Sequence, residues 1–344
     1  MVNEFLVDLN AWAAQEAAKN AGHKGDIELS PILSDAGFRN YYRLNTERPL
    51  LVVYAPINTE DSRQFVRVAS WLRESGVHAP WVVSSDFERG FLMLEDFGDT
   101  LLQPELDADS VAGLYGEALN VLLHLQSCEA ESGLFPSYNA SMLDAEMQLC
   151  HDWFFGELLG LTLTDAEREV FNSVKKCVVA NAQSQRQVVV HKDFHSRNIL
   201  LLDDGSLGVI DFQDAVIGPY AYDVASLLKD CYVRWDDKDI DRWALAYAAM
   251  LTDTDVIDAD TSGHFLRDFD WIGLQRHIKV LGIFARLCLR DGKERYLNDL
   301  PRVLGYVLVV LRKYPEFTAL LEFFEHRVLP EVAKQSWASD AAGI

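Results

Sequence analysis

The sequence predicts an α+β fold in two lobes, the first small and rich in β-strands and the second larger and mainly helical. Short runs of branched and aromatic residues, separated by turns, fill residues 26–95 around one helical stretch. After residue 96 apolar residues recur at helical spacing over most of the chain. A strand-rich island interrupts those helices at residues 187–211. We therefore predict an N-lobe over residues 1–96 and a C-lobe over residues 97–344.

The predicted N-lobe begins with an amphipathic helix in the first twenty residues, where Phe5, Leu9 and Trp12 recur at helical spacing. One further helix is predicted over residues 60–75. Antiparallel strands with one inserted helix are typical of a small α+β lobe. The predicted strands are DIELSPIL (26–33), YYRL (41–44), LLVVYAP (50–56), WVVSS (81–85) and GFLMLE (90–95).

The predicted C-lobe consists of helices around the strand-rich island. The island contains the strands QVVV (187–190), NILLL (198–202) and LGVID (207–211). The predicted helices cover residues 106–127, 140–159, 164–183, 221–233, 239–251, 263–290, 299–313 and 316–334.

Composition limits the classes of partner. The 344 residues carry a formal net charge of -22, which repels phosphate backbones and anionic lipid, so we expect neither nucleic acid nor membrane as partner. Such acidity is typical of a solvated surface, and it would also attract cationic substrates. The five cysteines are scattered without CxxC spacing, and the N-terminus has acids where a signal peptide has basic residues. We expect a cytoplasmic monomer that acts on a small molecule.

The island contains a motif with the spacing H-x-D-x-x-x-x-N, formed by His191, Asp193 and Asn198. A second acid, Asp211, follows after an apolar hairpin that the sequence DDG at residues 203–205 would turn. The hairpin would fold Asn198 and Asp211 towards each other and towards Asp193. We predict that His191 holds the loop through hydrogen bonds.

This set of side chains suits phosphoryl transfer from ATP, which depends on positioning and on cations that neutralise the transferred group. Asp211 and Asn198 supply the oxygen ligands that Mg²⁺ prefers. Asp193 would orient the acceptor hydroxyl and accept its proton. His195 and Arg197, in the same loop, could donate hydrogen bonds to phosphate oxygens.

HKDFHSRNIL together with VIDFQDA resembles the aminoglycoside phosphotransferase family, which includes sugar and choline kinases. The resemblance continues in GPYAYDVASLL at residues 218–228, where Asp223 takes the family's structural aspartate position. It implies a protein-kinase-like two-lobed fold, with ATP and Mg²⁺ as cofactors.

Two further segments resemble the nucleotide side of that family. SDAGFRNYYRL, at residues 34–44, is similar to its phosphate-covering loop, whose small residues allow backbone N–H groups to approach phosphate. LMLEDFGD, at residues 92–99, is similar to its hinge, where backbone groups from Glu95 to Phe97 would contact adenine. The loop residues assigned to the nucleotide are Ser34, Ala36, Gly37 and Phe38.

The third strand departs from the family pattern, because LLVVYAP contains no lysine for the α- and β-phosphates. Arg43, just after the loop, is our candidate replacement. Arg39 is a second candidate, although its place in the loop is more typical of a solvated residue. Without the strand lysine we assign no partner glutamate.

The acceptor would bind in the helical lobe, which Asp193 faces. Trp153 and Phe154 lie in EMQLCHDWFF (146–155), although such aromatic residues are more typical of a core. The polar residues 275–277 lie in a long helical segment at 270–293 and are more typical of a solvated face. The candidate acceptor contacts are Glu146, Trp153, Asp214 and Arg276.

Four segments together resemble one branch of the family, the cell-wall recycling kinases that phosphorylate N-acetylmuramate and N-acetylglucosamine at the anomeric C1 hydroxyl. They are SDAGFRNYYRL (34–44), IDFQDAVIGPYAYDVASLLKD (210–230), QRHIKVLGIFARLCLRDGK (275–293) and YLNDLPRV (296–303). The resemblance implies a sugar 1-phosphate product in peptidoglycan recycling. N-acetylmuramate carries a lactyl carboxylate, for which Arg276 or Arg197 would be the cation.

Three alternatives stay open at the level of sequence. An aminoglycoside phosphotransferase that confers antibiotic resistance has polycationic acceptors, which the acidic chain would attract. A catalytically silent kinase-like binding module would explain the missing strand lysine. A homoserine- or choline-type kinase would use an aromatic and acidic cage, and Trp153 lies near acids.

Overall fold

The computed structural model describes residues 2–20, 22–23, 25–32, 38–47 and 49–338. It divides the chain into two compact units. The first comprises the chain up to Leu134 together with Ser196–Ala215, and the second comprises Phe135–His195 together with the chain from Val216 onward. The lobe boundary between residues 96 and 97 stays a prediction.

The first unit contains a five-stranded antiparallel sheet in the order β1-β2-β3-β5-β4. Alternating and continuous runs of Val, Leu, Tyr and Phe form these strands because branched and aromatic side chains pack well on a pleated surface. All five predicted strands are confirmed. They are β1 (Leu29–Ile32), β2 (Asn40–Leu44), β3 (Leu50–Tyr54), β4 (Val82–Asp86) and β5 (Phe91–Glu95).

The described part of this unit contains three helices, and each lies in a stretch predicted to be helical. Helix α1 packs Leu9, Trp12 and Ala13 against strand residues such as Phe91. Helix α2 begins after Asp61, whose side chain accepts a hydrogen bond from the Gln64 amide and caps the helix. The helices are α1 (Val2–Asn20), α2 (Ser62–Glu74) and α3 (Val111–Ser127), and a short 3₁₀ segment covers Gln103–Glu105.

The predicted hairpin of the island also lies in the first unit. Strands β7 (Ile199–Leu201) and β8 (Leu207–Val209) pair antiparallel. Gly205 turns the chain between them with a φ of +83°, a conformation that glycine adopts at little cost.

The second unit is mainly helical, with one two-stranded ladder of β6 (Gln187–Val190) and β9 (Val216–Pro219). The sequence analysis missed β9. The predicted helix over 221–233 ends at Leu228, and the one over 316–334 is divided by a π-helical segment. The helices are α4 (Ala140–Leu149), α5 (Asp165–Ser184), α6 (Tyr222–Leu228), α7 (Asp237–Asp253), α8 (Ala259–Asp291), α9 (Leu300–Lys313), α10 (Thr318–Phe323) and α11 (Leu329–Val332). Further 3₁₀ or π segments cover Cys150–Leu158, Glu294–Asp299, Pro315–Phe317, Phe324–Val328 and Ser336–Ala338.

Helix α8 lies at the centre of the second unit, and its residues from Phe269 to Leu281 are all buried. Gly282 allows a close approach of α8 to another segment, because a β-carbon at this position would lie 2.3 Å from the carbonyl carbon of Leu149. Among the described residues, no helix combines the length and the apolar character that crossing a bilayer requires. The buried length of α8 places its polar residues inside the unit, where they need partners.

Candidate active site

The predicted catalytic loop begins where β6 ends, in the second unit. Lys192 has a φ of +79°, which is strained for a residue with a side chain. The buried Asp223, in the first turn of α6, accepts hydrogen bonds from the backbone amides of His191 (2.6 Å) and Lys192 (3.0 Å). The Asp193 amide donates to Nδ1 of His191 at 3.3 Å. A hydrogen bond of the kind expected of His191 is thus present, and Asp223 anchors the same turn.

The Asp193 carboxyl lies among cationic groups of the second unit. Burial raises its pKa, but the Lys279 ammonium and then His195 and Arg276 lower it, and the pKa lies below its ordinary value. Asp193 therefore stays ionised at neutral pH and is able to accept a proton. Its catalytic role stays a prediction.

An acid–lysine cluster of the same unit surrounds Glu146. Its carboxylate lies 3.1 Å from Nζ of Lys192 and 3.4 Å from Nζ of Lys279, and it accepts a short hydrogen bond from the Tyr138 hydroxyl. The Lys279 ammonium also donates to the Tyr222 hydroxyl at 3.3 Å. Burial raises the pKa of Glu146, but the two lysines hold it below its ordinary value. The cluster places two partly shielded ammonium groups in the unit that contains Asp193.

Glu146 was predicted as an acceptor contact, but neither lysine of this cluster was predicted. Lys192 stands between His191 and Asp193 of the motif, and this position is the sequence feature that could have identified it as a residue of the site. Lys279 lies three residues after Arg276, hence on nearly the same face of α8.

The two predicted metal ligands meet in the first unit. The Asn198 amide Nδ2 donates to the Asp211 carboxylate at 3.4 Å, and the Ile210 amide donates to the Asn198 carbonyl at 3.0 Å. Asp211 has a φ of +63°, and its other carboxylate oxygen accepts a hydrogen bond from Gln213 at 2.8 Å. The hairpin thus brings a carboxylate and an amide together, as predicted. Their role as metal ligands stays a prediction.

The other two polar residues of the loop have partners of their own. The His195 ring packs edge-on against Tyr232, with centroids 5.4 Å apart, in the second unit. Nε of Arg197 donates to Oε1 of Gln103 at 2.8 Å, in the first unit. Neither contact excludes a further hydrogen bond, and the predicted phosphate contacts stay predictions.

On the predicted nucleotide side, Ser34, Ala36 and Gly37 lie outside the described residues. Phe38, the next residue of the loop, is 64% exposed. Phe97, in the predicted hinge, packs edge-on against His78 at 5.0 Å. These five assignments stay predictions.

Two charged residues on that side are held in ion pairs. Arg43 contacts Asp96 at 2.5 Å and Asp99 at 2.7 Å, so its guanidinium already has two carboxylate partners. The side chain of Glu95 accepts from Arg73 at 3.1 Å and from the backbone amide of residue 81 at 3.1 Å. The pairing speaks against Arg43 as the cation that replaces the strand lysine.

Arg39 differs from the sequence-based expectation. We expected a solvated loop residue, but Arg39 is only 7% exposed and its Nη2 lies 2.8 Å from Oε2 of Glu60. The expectation was wrong because loop position alone does not reveal a buried counter-ion.

The polar residues 275–277 of α8 were also expected to form a solvated face, and that expectation was wrong. Arg276 is 4% exposed, and its Nη1 donates to Sγ of Cys231 at 3.2 Å. The predicted contact between Arg276 and the acceptor stays a prediction. Trp153 packs partly buried against the core, Phe154 is fully buried as expected, and Asp214 is exposed.

Comparison with known proteins identifies the family. The model of the phosphotransferase enzyme family matches residues 28–259. The chain belongs to this family. A Pseudomonas putida relative named N-acetylmuramate/N-acetylglucosamine kinase is 37% identical over 93% of each chain. A relative with the same name from Pseudomonas aeruginosa is 38% identical over 89% of this chain and 90% of its own. Another from Neisseria meningitidis is 36% identical over 86% of this chain and 89% of its own.

Solved structures of other phosphotransferases have the same fold at low sequence identity. A Plasmodium vivax ethanolamine kinase has a TM-score of 0.63 at 14% identity and covers 85% of this chain and 84% of its own. An ADP-bound aminoglycoside phosphotransferase has a TM-score of 0.55 at 19% identity and covers 86% of this chain and 97% of its own. The predicted α+β, protein-kinase-like fold of this phosphotransferase is confirmed, with a β-sheet unit and a helical unit.

Proposed function

We propose that this phosphotransferase transfers the γ-phosphoryl group of ATP to the anomeric C1 hydroxyl of N-acetylmuramate and N-acetylglucosamine. The observation that carries the proposal is the ionised Asp193 on a loop that Asp223 anchors, in a unit that also holds the Glu146 cluster. The names of the relatives support the choice of sugars. A role in cytoplasmic peptidoglycan recycling and a monomeric state belong to the same proposal.

In the proposed reaction, Asp193 accepts the proton of the C1 hydroxyl. The sugar oxygen forms a bond to the γ-phosphorus, the bond from that phosphorus to the bridging oxygen breaks, and ADP leaves. An anomeric hydroxyl is more acidic than an ordinary sugar alcohol, so a carboxylate with a low pKa is a sufficient base. The low pKa of Asp193 keeps this base available in neutral solution.

The donor set of Asn198 and Asp211 fits magnesium, which takes oxygen ligands and usually binds to one or two carboxylates, waters and substrate phosphates. Asp211 is exposed and Asn198 is partly exposed, so both are accessible to an ion. A magnesium ion, when bound, supplies positive charge to the phosphate oxygens. Gln213, which hydrogen bonds to Asp211 at 2.8 Å, would orient the carboxylate for this purpose.

For the lactyl carboxylate of N-acetylmuramate, the lysines of the Glu146 cluster are better candidates than Arg276. Lys192 and Lys279 share one carboxylate, Glu146, and their side chains are 15% and 10% exposed. Because the Lys279 charge also acts on the Asp193 carboxylate, the lactyl carboxylate would be attracted mainly by Lys192, whose ion pair within the described residues is with Glu146.

The substitution Lys192→Met tests this assignment, because methionine keeps the length of the side chain and removes the charge. We expect kcat/KM for N-acetylmuramate to fall about tenfold more than that for N-acetylglucosamine, which lacks the carboxylate. Lys175→Met is the control, since Lys175 is a buried lysine that pairs with Asp144 at 3.1 Å. Equal losses on both sugars would reject the carboxylate role.

A substrate panel with ATP tests the proposed function as a whole. ADP release is measured with both amino sugars, with a set of aminoglycosides and with choline, for the wild-type protein and for Asp193→Asn. We expect turnover with the two sugars alone and its loss in the variant. Turnover of aminoglycosides without the sugars would favour the resistance enzyme, and no turnover with any acceptor would favour the silent binding module.

A further inference from the structure

The strand that carries the phosphate-binding lysine in kinases has no cation here. Strand β3 ends at Tyr54, and Ala55 and Pro56 follow. The Tyr54 ring packs against Phe5, with centroids 4.2 Å apart, and against Phe91 at 6.2 Å, so it belongs to the aromatic core of the first unit. Kinases use a strand lysine and a helix glutamate as an ion pair at the α- and β-phosphates. Another residue of this chain must supply that charge.

A buried ion pair of the same unit has the matching composition. Arg39 directly precedes β2, and its Nη2 lies 2.8 Å from Oε2 of Glu60, two residues before α2 begins. Arg39 is 7% exposed and the side chain of Glu60 is 17% exposed. The guanidinium carbon lies 4.8 Å from the centroid of the Phe65 ring on α2. A cation beside strand β2 thus pairs with an acid just before helix α2.

Aromatic stacking connects this pair to the predicted metal ligand. The Phe65 ring, on which Arg39 lies, stacks on Phe212 with centroids 4.9 Å apart and planes inclined by 28°. Phe212 directly follows Asp211 in the chain. Burial raises the pKa of the Tyr41 hydroxyl. The Arg39 charge lowers this pKa and the Asp211 charge raises it, so both charges act on one group. Two ring contacts thus link Arg39 to the residue next to Asp211.

One hydrogen-bond donor of Arg39 has no acceptor among the described residues. Within the part of the chain that the structure describes, Nε of Arg39 is buried and has no hydrogen-bond partner. A buried donor without an acceptor is unfavourable, and native structures rarely keep one without a bound molecule or water to satisfy it. A phosphate oxygen is a suitable acceptor, because guanidinium and phosphate form strong charge-assisted hydrogen bonds.

We propose that Arg39 replaces the strand lysine and binds the α- or β-phosphate of the nucleoside triphosphate, with Glu60 as the positioning residue that orients it. The inference rests on the proposed function only in its use of a nucleoside triphosphate, not in the choice of sugar. The competing explanation is a buried ion pair that only supports the fold.

The double substitution Arg39→Met/Glu60→Met separates the two explanations, because replacing both partners by apolar residues leaves no unpaired buried charge. The affinities of magnesium-ATP and of adenosine are measured by calorimetry without sugar, and the melting temperature is recorded. We expect ATP to bind about 10- to 100-fold more weakly and adenosine to bind within about twofold of wild type. Arg67→Ala is the control, since Arg67 and Glu131 form an exposed pair of 2.9 Å in the same unit.

ATP affinity in the double variant that equals that of Arg67→Ala would overturn the proposal. If the double variant does not melt cooperatively, Arg39→Lys decides: a phosphate contact predicts about three- to tenfold weaker ATP binding with unchanged adenosine binding. Unchanged ATP binding in that variant would also overturn the proposal.

The panel and the calorimetry can fail independently. A wild-type protein that binds ATP through Arg39 but phosphorylates neither sugar contradicts only the proposed acceptor. A wild-type protein that phosphorylates the sugars while the double variant keeps wild-type ATP affinity contradicts only the role of Arg39.

Discussion

Replacing Lys279 by methionine tests the electrostatic basis of the proposed catalysis. The Lys279 ammonium lies 3.4 Å from the Glu146 carboxylate and is the strongest of the cations that lower the pKa of Asp193. At an effective dielectric constant of about 20, a pair at this distance attracts by about 5 kcal/mol before desolvation is subtracted. Lys192 remains 3.1 Å from Glu146 in the variant, so we expect a net loss in the free energy of unfolding of about 1–3 kcal/mol.

The same substitution should change how activity depends on pH. Without the ammonium, the strongest of the charges that lower the pKa of Asp193 is gone while the effect of burial remains, so this pKa rises. Asp193 acts as a base only when ionised, so the acid limb of the kcat/KM profile moves to higher pH and activity is lost earlier on acidification. Steady-state ADP release across the acid range measures the shift, and denaturant unfolding measures stability.

Lys175→Met is the matched control for this prediction. Lys175 is another buried lysine of the second unit, paired with Asp144 at 3.1 Å, and it is not among the strongest influences on the pKa of Asp193. We expect a comparable loss of stability and an unchanged acid limb. If Lys279→Met loses stability as the control does but leaves the acid limb in place, the assignment of Lys279 to the Asp193 environment is wrong.

Two further substitutions test the supports of the site and of the fold. Asp223→Asn replaces one of the two side-chain oxygens that accept hydrogen bonds from the loop by a donor, so we expect kcat to fall by about 10- to 100-fold. Asp268→Asn, in the same unit, should change kcat less than about twofold. Equal effects of the two substitutions in an assay of ADP release would contradict the anchoring of Lys192 by Asp223. Gly282→Ala forces a β-carbon to within 2.3 Å of the backbone of a neighbouring segment and should lower the free energy of unfolding by about 3 kcal/mol or more in a denaturant titration. Gly305→Ala, which meets no atom within 4 Å, should be neutral or stabilising by up to about 1 kcal/mol, and an equal loss in both glycine variants would refute the steric argument.

Most of the secondary structure could be predicted because its signals are local. Strands such as β3 and β5 are continuous runs of branched and aromatic residues, and the hairpin carries its own turn residues at 203–205. Strand β9 (VIGP) was missed because it contains glycine and proline and is stabilised by its partner β6, an interaction between distant parts of the sequence. The π-helical segments depend on local packing rather than on periodicity.

The residues of the site could be predicted where a sequence motif fixes their spacing. The surroundings of the buried charged residues could not be predicted. Asn198 and Asp211 are brought together by a hairpin that the sequence reveals. Arg39 and Arg276 were expected in solvent, because a single sequence does not show that Glu60 or the thiol of Cys231 would meet them inside a unit. Their counterparts are distant in sequence, so only the fold brings the partners together.

The position of the transferred phosphate tests the central claim most directly. Phosphorus NMR is recorded on the product formed from ATP and N-acetylmuramate. The proposed reaction predicts a monoester signal coupled to the anomeric proton, and this signal should be absent when Asp193→Asn replaces the wild-type protein. A phosphorus nucleus coupled to any other ring proton, or a product that forms equally well with the variant, would contradict phosphorylation at C1 with Asp193 as the base.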